Sequence, residues 1–422
     1  MPNCFAEEKS EMSFDNRNKN PNVESQILPK FIFSRLSILM LLQFFVFGSW
    51  FTTMGLVLYT HHLGGVIGLA YTSCAIAAIL SPLVLGAIGD RFISSEKVLG
   101  VLHILGGILQ FVLPGLVAAG ENNTTLLVIF LYMLCFQPTL GLVNSLSFHN
   151  LGVKADLFPF LRLFATGGWV VAGVVVGMLG YSSTTGIFYV AGVSSILLGL
   201  YSFTLPCTEP QAKSNKFNFL DALGAKSFVL FRHRGFAVLM ACALLTSISL
   251  GFYNTYASPF IGSLGVQNVA AVLALGQLSE IIFILSVPFV IKRIGMKWAL
   301  LVGMSMWGIR FIMFILAAQG HTWTAVVGVG LHGICNDFFL IISAMYIDRL
   351  APAEMKVQAQ SWLIIAISGF GAAFGSLISG TVYSGTVDIE IVQSWIPLWS
   401  IPIGIAVVTS VIWLIGFKEK NN

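Results

Sequence analysis

Glu280, Arg310 and Asp337 are ionisable residues set inside long apolar runs. Placing such a group at bilayer depth costs at least about 3 kcal/mol on insertion scales, so each marks a candidate for function. A carboxylate whose exposure, or whose distance from a cation, changes between two states binds and releases a proton once per cycle. The simpler alternative is that Arg310 neutralises one or both carboxylates as a buried structural pair. Gln277 precedes Glu280 by one helical turn and shares its face, and His332 and Asn336 are spaced i, i+4 beside Asp337. Earlier in the chain stand Gln43 and Trp50, Gln137-Pro138-Thr139 with Asn144, and Arg162, Thr166 and Trp169. Tyr253 and Asn254 add an aromatic face beside an amide. Aromatics, amides and one or two carboxylates suit a flat, heterocyclic, hydroxyl-rich ligand better than an ion or a lipid.

The elements that must position these residues are apolar helices. Of 422 residues, 56% are hydrophobic and 9% charged, the charged share being about a third of that in a soluble domain. Apolar windows predict spans at 35–60, 66–89, 97–120, 125–148, 160–182, 185–206, 236–261, 268–291, 297–319, 323–347, 357–383 and 393–417. The fold class expected is an all-α membrane protein of twelve spans in two six-helix bundles, 35–206 and 236–417, joined by a linker, 207–235. Residues 1–34 and 418–422 read as cytoplasmic tails, and the first of these lacks the pattern of a cleaved signal peptide. At about 1.5 Å per residue, Glu280, Arg310 and Asp337 all fall roughly 16 to 20 Å from the cytoplasmic surface, near the midplane of a ~30 Å core. A shared depth lets them meet. Pro138 is expected to kink its span and free backbone carbonyls for a cavity, while Arg162, by position alone, reads as an anchor to lipid phosphate.

Charge placement sets the orientation. The even-numbered connections hold Arg91, Lys97, Lys154, Lys292, Arg293, Lys297, Arg349 and Lys356, and the odd-numbered ones hold no Lys or Arg. Both termini are therefore expected on the cytoplasmic side of the membrane. Gly86, Asp90 and Arg91 fit a G-x-x-x-D-R loop after the second span, a gating loop whose charges bridge helix ends until the halves rock. The six cysteines show no paired or metal-binding spacing, so no metal and no cofactor is expected.

Several segments resemble the nucleoside:proton symporter family of bacterial permeases, within the major facilitator superfamily. They are Leu42-Gln43-Phe44, Gly48-Ser49-Trp50, Pro138-Thr139-Leu140-Gly141-Leu142 with Asn144-Ser145, Phe158-Pro159 with Arg162 and Gly167, Gly276-Gln277-Leu278-Ser279-Glu280, Asp337-Phe338, Ala359-Gln360 and Gly369-Phe370-Gly371. The resemblance implies that Arg162, Thr166, Gln277 and Glu280 contact a nucleoside and that Asp337 is needed for coupling, and it moves Arg162 from lipid anchor to cavity. The chain departs from the best-known members at Ser247 and Leu250, where they carry Gln and Asn, and at His332 and Asn336, where they carry Tyr and Phe. Base preference, and even substrate class, are the properties those differences touch.

The expected function is proton-coupled nucleoside uptake by alternating access; the alternative is a proton-coupled symporter of a sugar or another small polar metabolite. Substrate-binding candidates are Arg162, Thr166, Trp169, Gln43, Asn144, Tyr253, Asn254, Gln277, Glu280, His332 and Asn336, with Asp337, Glu280 and Arg310 as coupling candidates. The partners expected are a nucleoside, a proton and the lipid bilayer, with no nucleic acid, and the chain is expected to work as a monomer. An intramembrane enzyme finds no support, since HExxH and GxSxG are both missing.

Overall fold

The computed structural model describes residues 31–88, 94–208, 225–352 and 355–417. Asp90 and Arg91 of the expected gating loop lie outside the described residues, as do 1–30, 418–422 and most of the linker. Among the described residues there is helix and loop but no strand. In lipid a span must satisfy its own backbone polar groups, and helices do so within one segment.

The helices, in chain order, are α1 (Ile32–Gly48), α2 (Met54–Thr60), α3 (Ile67–Ile88), α4 (Ser95–Ala118), α5 (Asn122–Leu151), α6 (Phe158–Met178), α7 (Gly186–Ser202), α8 (Arg234–Ser263), α9 (Val269–Ala318), α10 (Trp323–Leu350), α11 (Gln358–Thr386) and α12 (Val392–Gly416). Two features separate this series from twelve simple rods. The first predicted span is broken after Gly48 and resumes as α2. Conversely, α9 runs for 50 residues, which at about 1.5 Å per residue is more than twice the thickness of a ~30 Å core. Gly295, at φ 78 and ψ 166, breaks it in two, a conformation that glycine adopts without a Cβ penalty. Lys292, Arg293 and Lys297 flank that turn, so α9 supplies the eighth and ninth spans, and the predicted boundaries at 291 and 297 bracket it.

Wider π turns interrupt α10 at Asp337–Ile341 and α11 at Ile365–Gly371. Such turns often mark functional sites because the extra residue re-aims side chains. The first begins at Asp337 itself.

Packing divides unevenly. One apolar core joins the first six spans to Phe252, Tyr256, Phe260, Val269, Leu273 and Trp395 of the later ones. A second core, including Leu230, Phe236, Met304, Phe338 and Trp413, draws only on residues 230–417. The two sets of spans are thus fused at one end and separate at the other. Small residues make the fusion close. A Cβ on Gly68 of α3 would lie 2.7 Å from the Cα of Gly380 of α11, and one on Gly55 of α2 would lie 2.7 Å from the Thr255 carbonyl oxygen of α8. Gly173 of α6 meets Ala274 of α9 in the same way, at 2.9 Å. Without strong hydrophobic drive between helices in lipid, such small-residue contacts provide van der Waals packing.

Candidate functional site

A cavity of about 340 Å³ opens between the two sets of spans, at the small end of the roughly 300–1,000 Å³ typical of small-molecule sites. One wall is aromatic. Phe47 of α1 lies 4.9 Å from Trp169 of α6 at 71° and 4.6 Å from Phe51, which in turn stands 5.1 Å from Tyr71 of α3. The broken first span explains the last pair: the chain leaves helical geometry after Gly48, and the Tyr71 hydroxyl donates to the Phe51 carbonyl at 2.7 Å. Arg162 and Thr166 lie beside Trp169 on the lining, and the Arg162 guanidinium sits 5.3 Å from the centre of the Phe44 ring. Arg162 therefore faces the cavity, and its sequence position alone pointed elsewhere.

The opposite wall is polar. It carries Asn254 of α8, Gln277 and Glu280 of α9, His332 and Asn336 of α10, and Ser368 and Ser376 of α11. The approach of α9 to α10 is set by Gly333, where a Cβ would lie 2.6 Å from the Ser279 carbonyl oxygen, and by the Gly333 N–H, which donates to Ser279 Oγ at 2.8 Å. That closeness brings Asn336 Nδ2 within 2.6 Å of Glu280 Oε1 and His332 Nε2 within 3.1 Å of the same oxygen. Behind them the Arg310 guanidinium is fully buried, 3.4 Å from the Tyr253 ring centre and 5.1 Å from that of Trp307, with Nη1 2.8 Å from His332 Nδ1. Stacking of this kind stabilises a desolvated cation.

Arg310, Glu280 and Asp337 do not form the direct cluster that equal depth suggested. Among the described residues no ion pair joins Arg310 to either carboxylate; His332 stands between Arg310 and Glu280. Asp337, one position past Asn336, is buried at the start of the widened turn and is not part of the cavity lining. Helical depth places residues along the span axis and says nothing about their angle around it.

Three substrate-binding candidates stand outside the lining. Gln43 is fully buried; its amide donates to Thr139 Oγ1 at 2.8 Å, and its carbonyl oxygen lies 2.8 Å from Nε2 of His103 in α4. His103 Nδ1 continues the chain to Ser195 Oγ of α7 at 3.0 Å, so this polar set ties α1, α4, α5 and α7 together inside the first bundle. Tyr253 lies beneath Arg310, and Asn144, half-buried on α5, makes no contact with the cavity. Residues that sequence reasoning passed over include His103, a lone histidine in an apolar run, and the Phe44, Phe47, Phe51 and Tyr71 wall. In a chain this rich in phenylalanine no signal separates a lining aromatic from a packing one. Gly86 falls in the last turn of α3.

A sequence profile of the nucleoside H+ symporter family matches residues 31–422. YegT of Escherichia coli (strain K12) is 32% identical over 410 residues, 92% of this chain and 94% of its own length. The xanthosine permease of the same organism is 28% identical over 92% and 96% of the two chains. The crystal structure of the nucleoside transporter NupG superposes with a TM-score of 0.81 at 28% identity, covering 92% of this chain and 99% of that one. The fold is therefore that of the major facilitator transporters.

Proposed function

The chain belongs to the nucleoside H+ symporter family, and from that premise we infer that it takes up nucleosides together with protons by alternating access. The observation that carries this reading is the cavity itself, with an aromatic wall of Phe47, Phe51 and Trp169 facing Glu280, Gln277 and Asn336. A nucleobase stacks on ring faces, and the amides and carboxylate complement hydroxyl and ring N–H groups. A sugar would use the polar wall but leave the aromatic one without a flat partner, and the family does not favour that alternative.

Residues 35–206 rock as one unit against 236–417, and the end fused through Gly68 and Gly380 is the outer gate, closed in this state. Arg162, Thr166 and Gln277 hold the nucleoside, and Glu280 and Asp337 are the groups through which a proton couples to it. The protein works as a monomer in the inner membrane with both termini in the cytoplasm, the orientation that the basic connections support. Uptake of radiolabelled uridine and adenosine, with and without a protonophore, tests the reading. Saturable uptake that collapses with the protonophore is expected, and no saturable uptake of either nucleoside would sink it.

A further inference from the structure

Among the described residues, His332 is the one side chain that touches both a buried cation and the cavity carboxylate, with Arg310 Nη1 2.8 Å from its Nδ1 and Glu280 Oε1 3.1 Å from its Nε2. Arginine has five N–H donors, no acceptor, and stays protonated in proteins. The Arg310 contact therefore requires Nδ1 to be the unprotonated, accepting nitrogen, which leaves the ring proton on Nε2. That N–H points at Glu280 and donates to it. Adding a second proton at Nδ1 would set an imidazolium N–H against a guanidinium N–H, breaking the hydrogen bond and placing two cations side by side where both side chains are buried.

We propose that His332 is a positioning residue, a neutral imidazole held in one tautomer by Arg310, which ties ionised Glu280 to the buried cation without itself carrying the transported proton. The charged and titratable groups around the ring are consistent in this. Arg310 and Glu280 of α9 take its two nitrogens, and the Tyr253 ring of α8 stacks on it at 5.3 Å and 28°. Asp337 and Cys335 lie on α10 itself, and Arg162 of α6 faces the same cavity. Among the described residues Arg310 makes no ion pair with Glu280, so the imidazole is the hydrogen-bonded link between the buried guanidinium and the cavity carboxylate. Protonation of Glu280 turns the third member of the chain from an anion into a neutral acceptor and loosens its hold on His332 and Asn336. The coupling proton is thereby assigned to a carboxylate.

The proposal rests on the symporter reading, so its test has one arm that needs no transport. In the full chain labelled with 15N-histidine, the His332 signal, identified by its loss in His332→Gln, should show the neutral Nε2–H tautomer throughout the range of about pH 5 to 8 in which an ordinary histidine changes charge. A His332 imidazolium in that range overturns the proposal whatever the cargo. In the transport arm, glutamine is informative because its carbonyl accepts from Arg310 and its amide donates to Glu280, yet it does not titrate. His332→Gln should slow uptake but still accumulate nucleoside above its external concentration, with the pH profile of uptake unshifted. His332→Leu, which makes neither contact, should lose accumulation by about tenfold or more relative to counterflow exchange, the scale of a lost hydrogen bond to a charged group. Equal loss of accumulation in both variants, or none in His332→Leu, overturns the proposal; failure of the wild type to take up nucleosides at all counts against the symporter reading instead.

Discussion

Asn336 of α10 donates to Glu280 of α9 across 2.6 Å, joining two polar residues of the cavity wall. Two helices meet there because Gly333 lets them, and the carboxylate is held on the cavity side as a consequence. Asn336→Ala should raise the nucleoside KM by about tenfold with a smaller effect on maximal rate, since a hydrogen bond to a charged group contributes roughly 1.5–3 kcal/mol. Initial-rate uptake across a range of uridine concentrations measures the split.

Trp169 forms the centre of the aromatic wall, 4.9 Å from Phe47. Stacking of a base on an aromatic side chain is worth about 1–3 kcal/mol. Trp169→Ala should therefore weaken nucleoside binding by about tenfold or more, and Trp169→Phe should recover most of it. Binding to the detergent-purified chain, followed calorimetrically with uridine, reads this directly.

Glu280 and Asp337 differ in place, one on the cavity and the other buried beside the widened turn of α10. Asp337→Asn should abolish accumulation while leaving counterflow exchange of nucleoside in place, because the residue does not line the cavity. Glu280→Gln should reduce both. Wild-type accumulation in each variant would remove these carboxylates from coupling.

Gly68 and Gly380 cross at the fused end, where a Cβ on the first would lie 2.7 Å from the Cα of the second. Backbone cannot yield as a flexible side chain can, so Gly68→Val should prise this end apart and bias the protein towards the outward-open state. A cysteine placed at Tyr256, fully buried at the same end, should then react with a membrane-impermeant thiol reagent far faster than it does with Gly68 intact. Unchanged reactivity would mean that the gate lies elsewhere.

The Gln43, His103, Thr139 and Ser195 set is a matter of stability rather than cargo. Gln43→Leu leaves His103 Nε2 without its partner and takes from Thr139 Oγ1 the amide that donates to it, at a cost of about 1–3 kcal/mol for a buried polar group. A lower thermal unfolding midpoint is expected. Adding His103→Phe should cost less than the sum of the single changes, because the two residues share one network.

Much of this protein was legible in its sequence because the bilayer imposes a rule that one dimension can express. A span needs an unbroken apolar run of fixed length, so the helix boundaries, and even the turn at Gly295 between two basic clusters, follow from hydropathy. The cost of burying charge singled out Glu280, Arg310 and Asp337 for the same reason. Depth along a helix was also readable, but the angle around it was not. That angle, decided by the approach of α9 to α10 at Gly333 and by the π turn at Asp337, placed His332 between Arg310 and Glu280 and kept Asp337 off the cavity. The same limit hid Gln43 inside the first bundle, where its amide pairs with Thr139 and His103 on two other spans. Side-chain partners on separate helices are chosen by packing in three dimensions, and only the tertiary structure contains that choice.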